Sequence, residues 1–280
     1  MSRSSSDALR RQSLVALALV ALAGGPVARP AVAHPDLLAQ IAQLDSEIAL
    51  NPEDVGAYLR RADLHRRHVD YDAAEADVEQ ARLLTRADRA THGAFEPAID
   101  RTAGRLALDQ ERFTAAVEYL GRSLASRPAD PAAWRFRGLA LQALGRHEEA
   151  AGDFAQAIDR TAQPPPDLYR LRARALTAVG PDGWTRARDA ADRGLERHPG
   201  DPALRGLATD LALVLGDVDG AGRYLDELPA PILGLAVWKT RVAARGCLNN
   251  GADRDDGASC TASIRIRLSA EHGAVDSPHR

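Results

Sequence analysis

The chain has 280 residues, with 36 Lys and Arg against 39 Asp and Glu, a formal charge of −3, 45% apolar residues and 4% aromatics. That length is enough to bury a self-sufficient core in one large domain or two small ones. The near-balanced charge excludes a nucleic-acid binder that relies on overall basicity, and the apolar content excludes a wholly disordered chain.

Residues 1–33 read as a secretory signal. Arg3, Arg10 and Arg11 make a positive start, Leu14 to Ala23 is continuously apolar, and Gly24, Gly25 and Pro26 break the run. Ala31-Val32-Ala33 then offers the small-x-small pattern of a cleavage site that leaves His34 as the new N-terminus. The apolar run is about ten residues, too short for a bilayer core that takes roughly 20. The expected mature protein is therefore exported, periplasmic or extracellular, with no membrane span.

The next stretch, 34–51, is expected to be an N-terminal capping helix, because Leu37, Leu38, Ile41, Leu44 and Ile48 share one helical face. Beyond it the chain repeats itself. Tyr71-Asp72-Ala73-Ala74-Glu75-Ala76-Asp77-Val78 has the same pattern as Phe113–Leu120, His147–Phe154 and Val218–Leu225. The shared alanines Ala74, Ala116, Ala150, Ala187 and Ala221 are spaced by 42, 34, 37 and 34 residues. A basic period of 34 with surface insertions of eight and three accounts for all four steps.

This pattern resembles the tetratricopeptide repeat, a helix–turn–helix unit of 34 residues. The third copy carries it best, with Trp134, Gly138, Leu144-Gly145, Ala150, Phe154 and Ala157. The first has Tyr58, Ala62 and Ala74, the second Gly104 and Ala116, the fourth Tyr169, Ala173 and Ala187. The fifth is degenerate, with Thr209 and Leu228 at the small positions. The resemblance implies an all-α, right-handed superhelical solenoid of about four and a half repeats over 52–228, with capping helices at both ends. Small residues let neighbouring helices approach, Trp134 and Phe154 fill the space beside them, and stacking joins the apolar stripes into one core. Gly145 and Gly216 are expected at turns between helices. Asp130-Pro131 and Asp201-Pro202 are expected to start helices as cap and first-turn proline.

After Pro229 and Pro231, residues 229–246, with Leu235 and Trp238, read as a closing helix. Residues 247–280 are expected to be mostly irregular. Cys247 and Cys260 lie there in a polar stretch, where export makes a disulfide the natural reading, worth roughly 3 kcal/mol in the chain-entropy model. Two unpaired thiols are the alternative.

Catalytic signatures are not found. His147-Glu148-Glu149 lacks the second His of a zinc-protease helix, since Ala151 stands there. Asp253-Arg254-Asp255-Asp256-Gly257 lacks the alternation and terminal Glu of a calcium loop. The chain therefore reads as a non-enzyme without a cofactor. His65 and His68, three apart on one helical face, together with His34, support a second reading as a metal-handling envelope protein. In the first, His65 is a packing residue.

The strongest functional signal comes with the resemblance, which places the first helix of each pair on a concave wall. Arg101, Arg105, Arg135, Arg170 and Arg174, with Gln142 beside them, stand outside the packing positions there. Stacked repeats would align them into a basic stripe suited to an acidic partner segment or a terminal carboxylate, since arginine forks bind carboxylates bidentately. Alternatively these arginines pair with neighbouring acids such as Asp100 or Asp109 and keep the groove soluble. The Lys and Asn with which some relatives clamp a terminal carboxylate are missing. The reading is thus a protein–protein interaction scaffold, with a protein or peptide partner and no nucleic acid. Binding through the convex face is the alternative among scaffolds.

Overall fold

The computed structural model describes residues 35–226. The expected signal, closing helix and disulfide, along with His34 and Leu228, lie outside those residues. Within them every regular element is helical: α1 (Pro35–Leu50), α2 (Val55–Arg67), α3 (Tyr71–Ala87), α4 (Arg89–His92), a 3₁₀ turn (Gly93–Phe95), α5 (Glu96–Asp109), α6 (Phe113–Ser126), α7 (Pro131–Ala143), α8 (His147–Asp159), α9 (Pro166–Val179), α10 (Pro181–Arg197), α11 (Pro202–Val214) and α12 (Val218–Asp226).

Local chemistry sets where these helices start. Asp54, Asp70, Asp130 and Asp201 each accept from backbone N–H groups of the first turn of α2, α3, α7 and α11, which have no partner inside the helix. Pro131 and Pro202 occupy the first turn, where a missing N–H is harmless. Four hairpins turn through the same three-residue link. Val69, Glu111, Gly145 and Gly216 stand in its middle at φ 65°, 59°, 74° and 79°. The following residue then donates its N–H to a carbonyl five residues back, as in Asp70 to His65 (2.9 Å) and Arg146 to Leu141 (2.9 Å). This is the Schellman closure, and it reverses the chain within one helical turn.

The helices α2/α3, α5/α6, α7/α8, α9/α10 and α11/α12 form five hairpins. Each second helix packs on the first helix of the next hairpin, and α1 packs on α2. No hairpin buries its apolar stripe alone, so buried clusters run across the junctions. Ala74, Ala116, Ala150, Ala157 and Ala187 are fully buried, and Ala62 nearly so. A Cβ on Gly104 would lie 2.5 Å from Leu120, and one on Gly138 would lie 2.7 Å from Phe154, so both positions require glycine. Phe154 is completely enclosed and Tyr58 is buried. Trp134 instead sits half-buried at the edge, between the guanidinium groups of Arg137 (4.7 Å) and Arg160 (5.4 Å), and donates from Nε1 to the Pro128 carbonyl (2.8 Å).

The two insertions are accommodated differently. The longer one lengthens α3 and adds α4 and the 3₁₀ turn, whose Phe95 packs against the α1–α5 cluster. The shorter one is largely absorbed by a helix. Here α10 starts one turn earlier than the other second helices, and its link to α9 shrinks to Gly180 at φ 105°. Gly183 makes this possible, because a Cβ there would fall 2.0 Å from the Leu176 carbonyl oxygen.

Candidate functional site

The first helices α2, α5 and α7, closed at one end by α1, surround a cleft of about 730 Å³. Its lining is mixed: Leu44, Leu59, Leu64 and Phe136 are apolar, and Glu47, Asp63, Arg101 and Arg105 are charged. Pro35–Leu50 forms a wall because its other face, with Leu37, Ile41 and Ile48, is buried in the core.

A charged network crosses the cleft. Arg105 lies over the Phe136 ring (4.8 Å) and donates from Nη1 to Asp63 (3.4 Å). Asp63 also accepts from Arg66 (3.0 and 3.1 Å), which in turn donates to Asp109. Burial, followed by the positive charge of Arg66, lowers the pKa of the Arg105 guanidinium. Asp63 and Asp109 offset part of this, and the side chain keeps some contact with solvent. Arg101 donates to Asp130 (2.7 Å), the same carboxylate that caps α7.

Not all of the stripe converges on this cleft. Arg135 and Arg170 meet instead at Asp167, at 2.9 and 2.6 Å. Arg174 is exposed on α9, and Gln142 is half-buried on α7 with its Oε1 buried and without a hydrogen bond. The acids that pair with Arg101, Arg105, Arg135 and Arg170 are Asp130, Asp63 and Asp167, whereas Asp100 serves Arg122 (3.0 Å) and Asp109 serves Arg66. His65 is directed at Asp70, with Nδ1 3.8 Å from Oδ2. Among the described residues no group of three or more His, Cys, Asp or Glu is placed to hold a metal ion, and no helix is long and apolar enough to cross a membrane.

A feature that sequence reasoning missed ties the two helices of single hairpins together. In the first, Arg61 grips Asp77 with Nε and Nη2 (2.9 and 2.6 Å) and stacks over Tyr58 (5.6 Å). In the third, Arg137 grips Asp153 in the same way (2.7 and 2.8 Å) beside Trp134. The signal was present: an arginine three residues after the aromatic, and an aspartate three residues after the shared alanine. Both aspartates are buried, at 3% and 5% exposure, so each fork neutralises an otherwise costly charge.

Residues 101–165 match the tetratricopeptide repeat family model. The cytochrome c-type biogenesis protein CycH of Rhizobium meliloti (strain 1021) is 28% identical over 144 residues, which is 51% of this chain. The chain spans about a third of that relative, 36% of its length. Among solved structures, PilW, described as a widely conserved type IV pilus biogenesis factor, superposes with a TM-score of 0.58 at 18% identity, covering 73% of this chain and 90% of PilW. YrrB, described as a TPR protein with an unusual peptide-binding site, gives 0.55 at 18% identity, covering 71% of this chain and 97% of YrrB. Folds of this kind are typically non-catalytic scaffolds for protein–protein interaction. Matched residues and stacked hairpins agree: the described part of the chain is an all-α solenoid of tetratricopeptide-like repeats.

Proposed function

We propose that this protein is an exported scaffold that holds a segment of a partner protein in the cleft between α1, α2, α5 and α7. The observation that carries the reading is the pairing of apolar side chains in a mixed lining with a half-buried arginine, Arg105. Leu44, Leu59 and Phe136 would take apolar side chains of the partner, and Arg101 and Arg105 would orient an acidic group. Arg135, Gln142, Arg170 and Arg174 would extend contact towards the fourth hairpin. The likeness to a cytochrome c-type biogenesis protein supports an accessory role in assembling envelope proteins of that kind. In the exported form the chain would begin at His34 and close its C-terminal part with Cys247–Cys260.

The test is crosslinking and affinity capture from the envelope fraction with the full chain and with Phe136→Glu and Arg101→Gln/Arg105→Gln variants. Both variants should lose the partner captured by the parent while their far-ultraviolet circular dichroism stays helical. Arg160→Gln, outside the cleft, should keep it. Unchanged capture by folded cleft variants overturns the groove reading, and mature protein that retains residues 1–33 overturns export.

A further inference from the structure

The arginine fork of the first and third hairpins has a counterpart in the fourth that lacks its acid. Arg172 follows Tyr169 by three residues, as Arg61 follows Tyr58 and Arg137 follows Trp134. The position three after the shared alanine, held by Asp77 and Asp153 in those hairpins, is Ala190 here. Ala190 is 2% exposed, a seat as enclosed as that of the two aspartates. Among the described residues Arg172 has no hydrogen-bond or ion-pair partner, and its Nε is shut off from solvent.

The surroundings add positive charge. Arg186 and Arg193 lie four residues before and three after Ala190, on the same face of α10. Both repel the Arg172 charge, and burial together with this repulsion lowers its pKa, with Asp159 offsetting part of the effect. Arg186 is paired with Glu148 (2.7 and 2.8 Å), whereas Arg193 is exposed and, like Arg172, has no partner among the described residues. None of these arginines lines the α1–α7 cleft.

We infer that Arg172 and Arg193, flanked by Arg186, form a second docking site, for a carboxylate on an acidic segment of a partner protein. The missing group is a carboxylate because that is what the same fork holds in two other hairpins. A planar guanidinium takes it through two parallel hydrogen bonds. The site does not depend on the cleft and stands or falls separately from it.

Fluorescence anisotropy of fluorescein-labelled hexaglutamate on the full chain, at low ionic strength, tests the inference. Binding should weaken by about tenfold or more in Arg172→Gln/Arg193→Gln. Ala190→Asp, which restores an internal carboxylate, should weaken it similarly and raise the melting temperature. Arg146→Gln, which removes an exposed arginine outside both sites, should bind as the parent does. The inference is overturned if the parent does not bind the peptide, or if the folded Arg172/Arg193 variant binds it unchanged. It is also overturned if inorganic phosphate displaces the peptide where acetate at the same concentration does not.

Discussion

At Val69 a β-branched side chain occupies a left-handed backbone, φ 65°, in the middle of a hairpin link, and it is 60% exposed. The Cβ of an L-residue crowds the backbone there at a cost of about 1–2 kcal/mol, and Val69 gains little packing in return. The third and fifth hairpins place Gly145 and Gly216 at the same point of the same turn. Val69→Gly should therefore raise stability by about 1 kcal/mol, the relief of strain less the entropy cost of glycine. Urea unfolding checks this, and a lower midpoint would show that the side chain matters to the native state. Turns marked by glycine were legible in the sequence. Those at Val69 and Glu111 were not, because tertiary packing of the two helices imposes the left-handed residue whatever its type.

Among the elements, α8 and α10 show how charge couples neighbouring hairpins. Glu148, in the first turn of α8, accepts two hydrogen bonds from Arg186 on α10, and these, with the guanidinium charge, lower its pKa. A carboxylate with a depressed folded pKa contributes stability above its ordinary pKa of about 4.3, and loses it as the pH falls through the folded value. Arg186→Gln should return Glu148 to the ordinary range and so shift its protonation to higher pH, as read by carboxyl chemical shifts in an NMR titration. Both side chains are exposed, so high salt should diminish the difference between variant and parent. An unchanged titration would mean that the pair does not persist in solution. At this scale aspartate caps and first-turn prolines were readable from sequence, since they act within three residues. The early start of α10 was not, because it depends on Gly183 passing the Leu176 carbonyl of a different helix.

Over the whole molecule the hairpins form a nearly one-dimensional stack, each contacting chiefly its neighbours. Damage should then stay local. Phe154 is fully buried in the cluster that spans α7 to α11, and Phe154→Ala should cost about 3–5 kcal/mol. Native-state hydrogen exchange should show that loss in α7–α10, with the protection of α2 and α3 largely kept. Uniform loss across the chain would mean that the stack unfolds as one unit. The same arrangement explains the cleft. Stacking alone brings α2, α5 and α7 side by side, and α1 turns an open wall into a bounded site. Charge reversal at both Arg135 and Arg170 would set two acids against Asp167, so neutral substitutions probe that pair more cleanly.

The sequence by itself determined the all-α hairpin stack, because small residues recurring near every 34 positions admit one register of close helix contact, and caps and glycine turns act over a few residues. It also singled out arginines on the first helices of three hairpins. Only the tertiary structure decided what those arginines touch: Asp63, Asp130 and Asp167 come from other turns, helices and hairpins, within reach of a long side chain. The same holds for α1 as a wall of the cleft and for Arg172 left without the acid that Ala190 replaces. Hairpin formation is governed by local spacing, whereas ion-pair choice depends on distances across the stack that spacing alone does not encode.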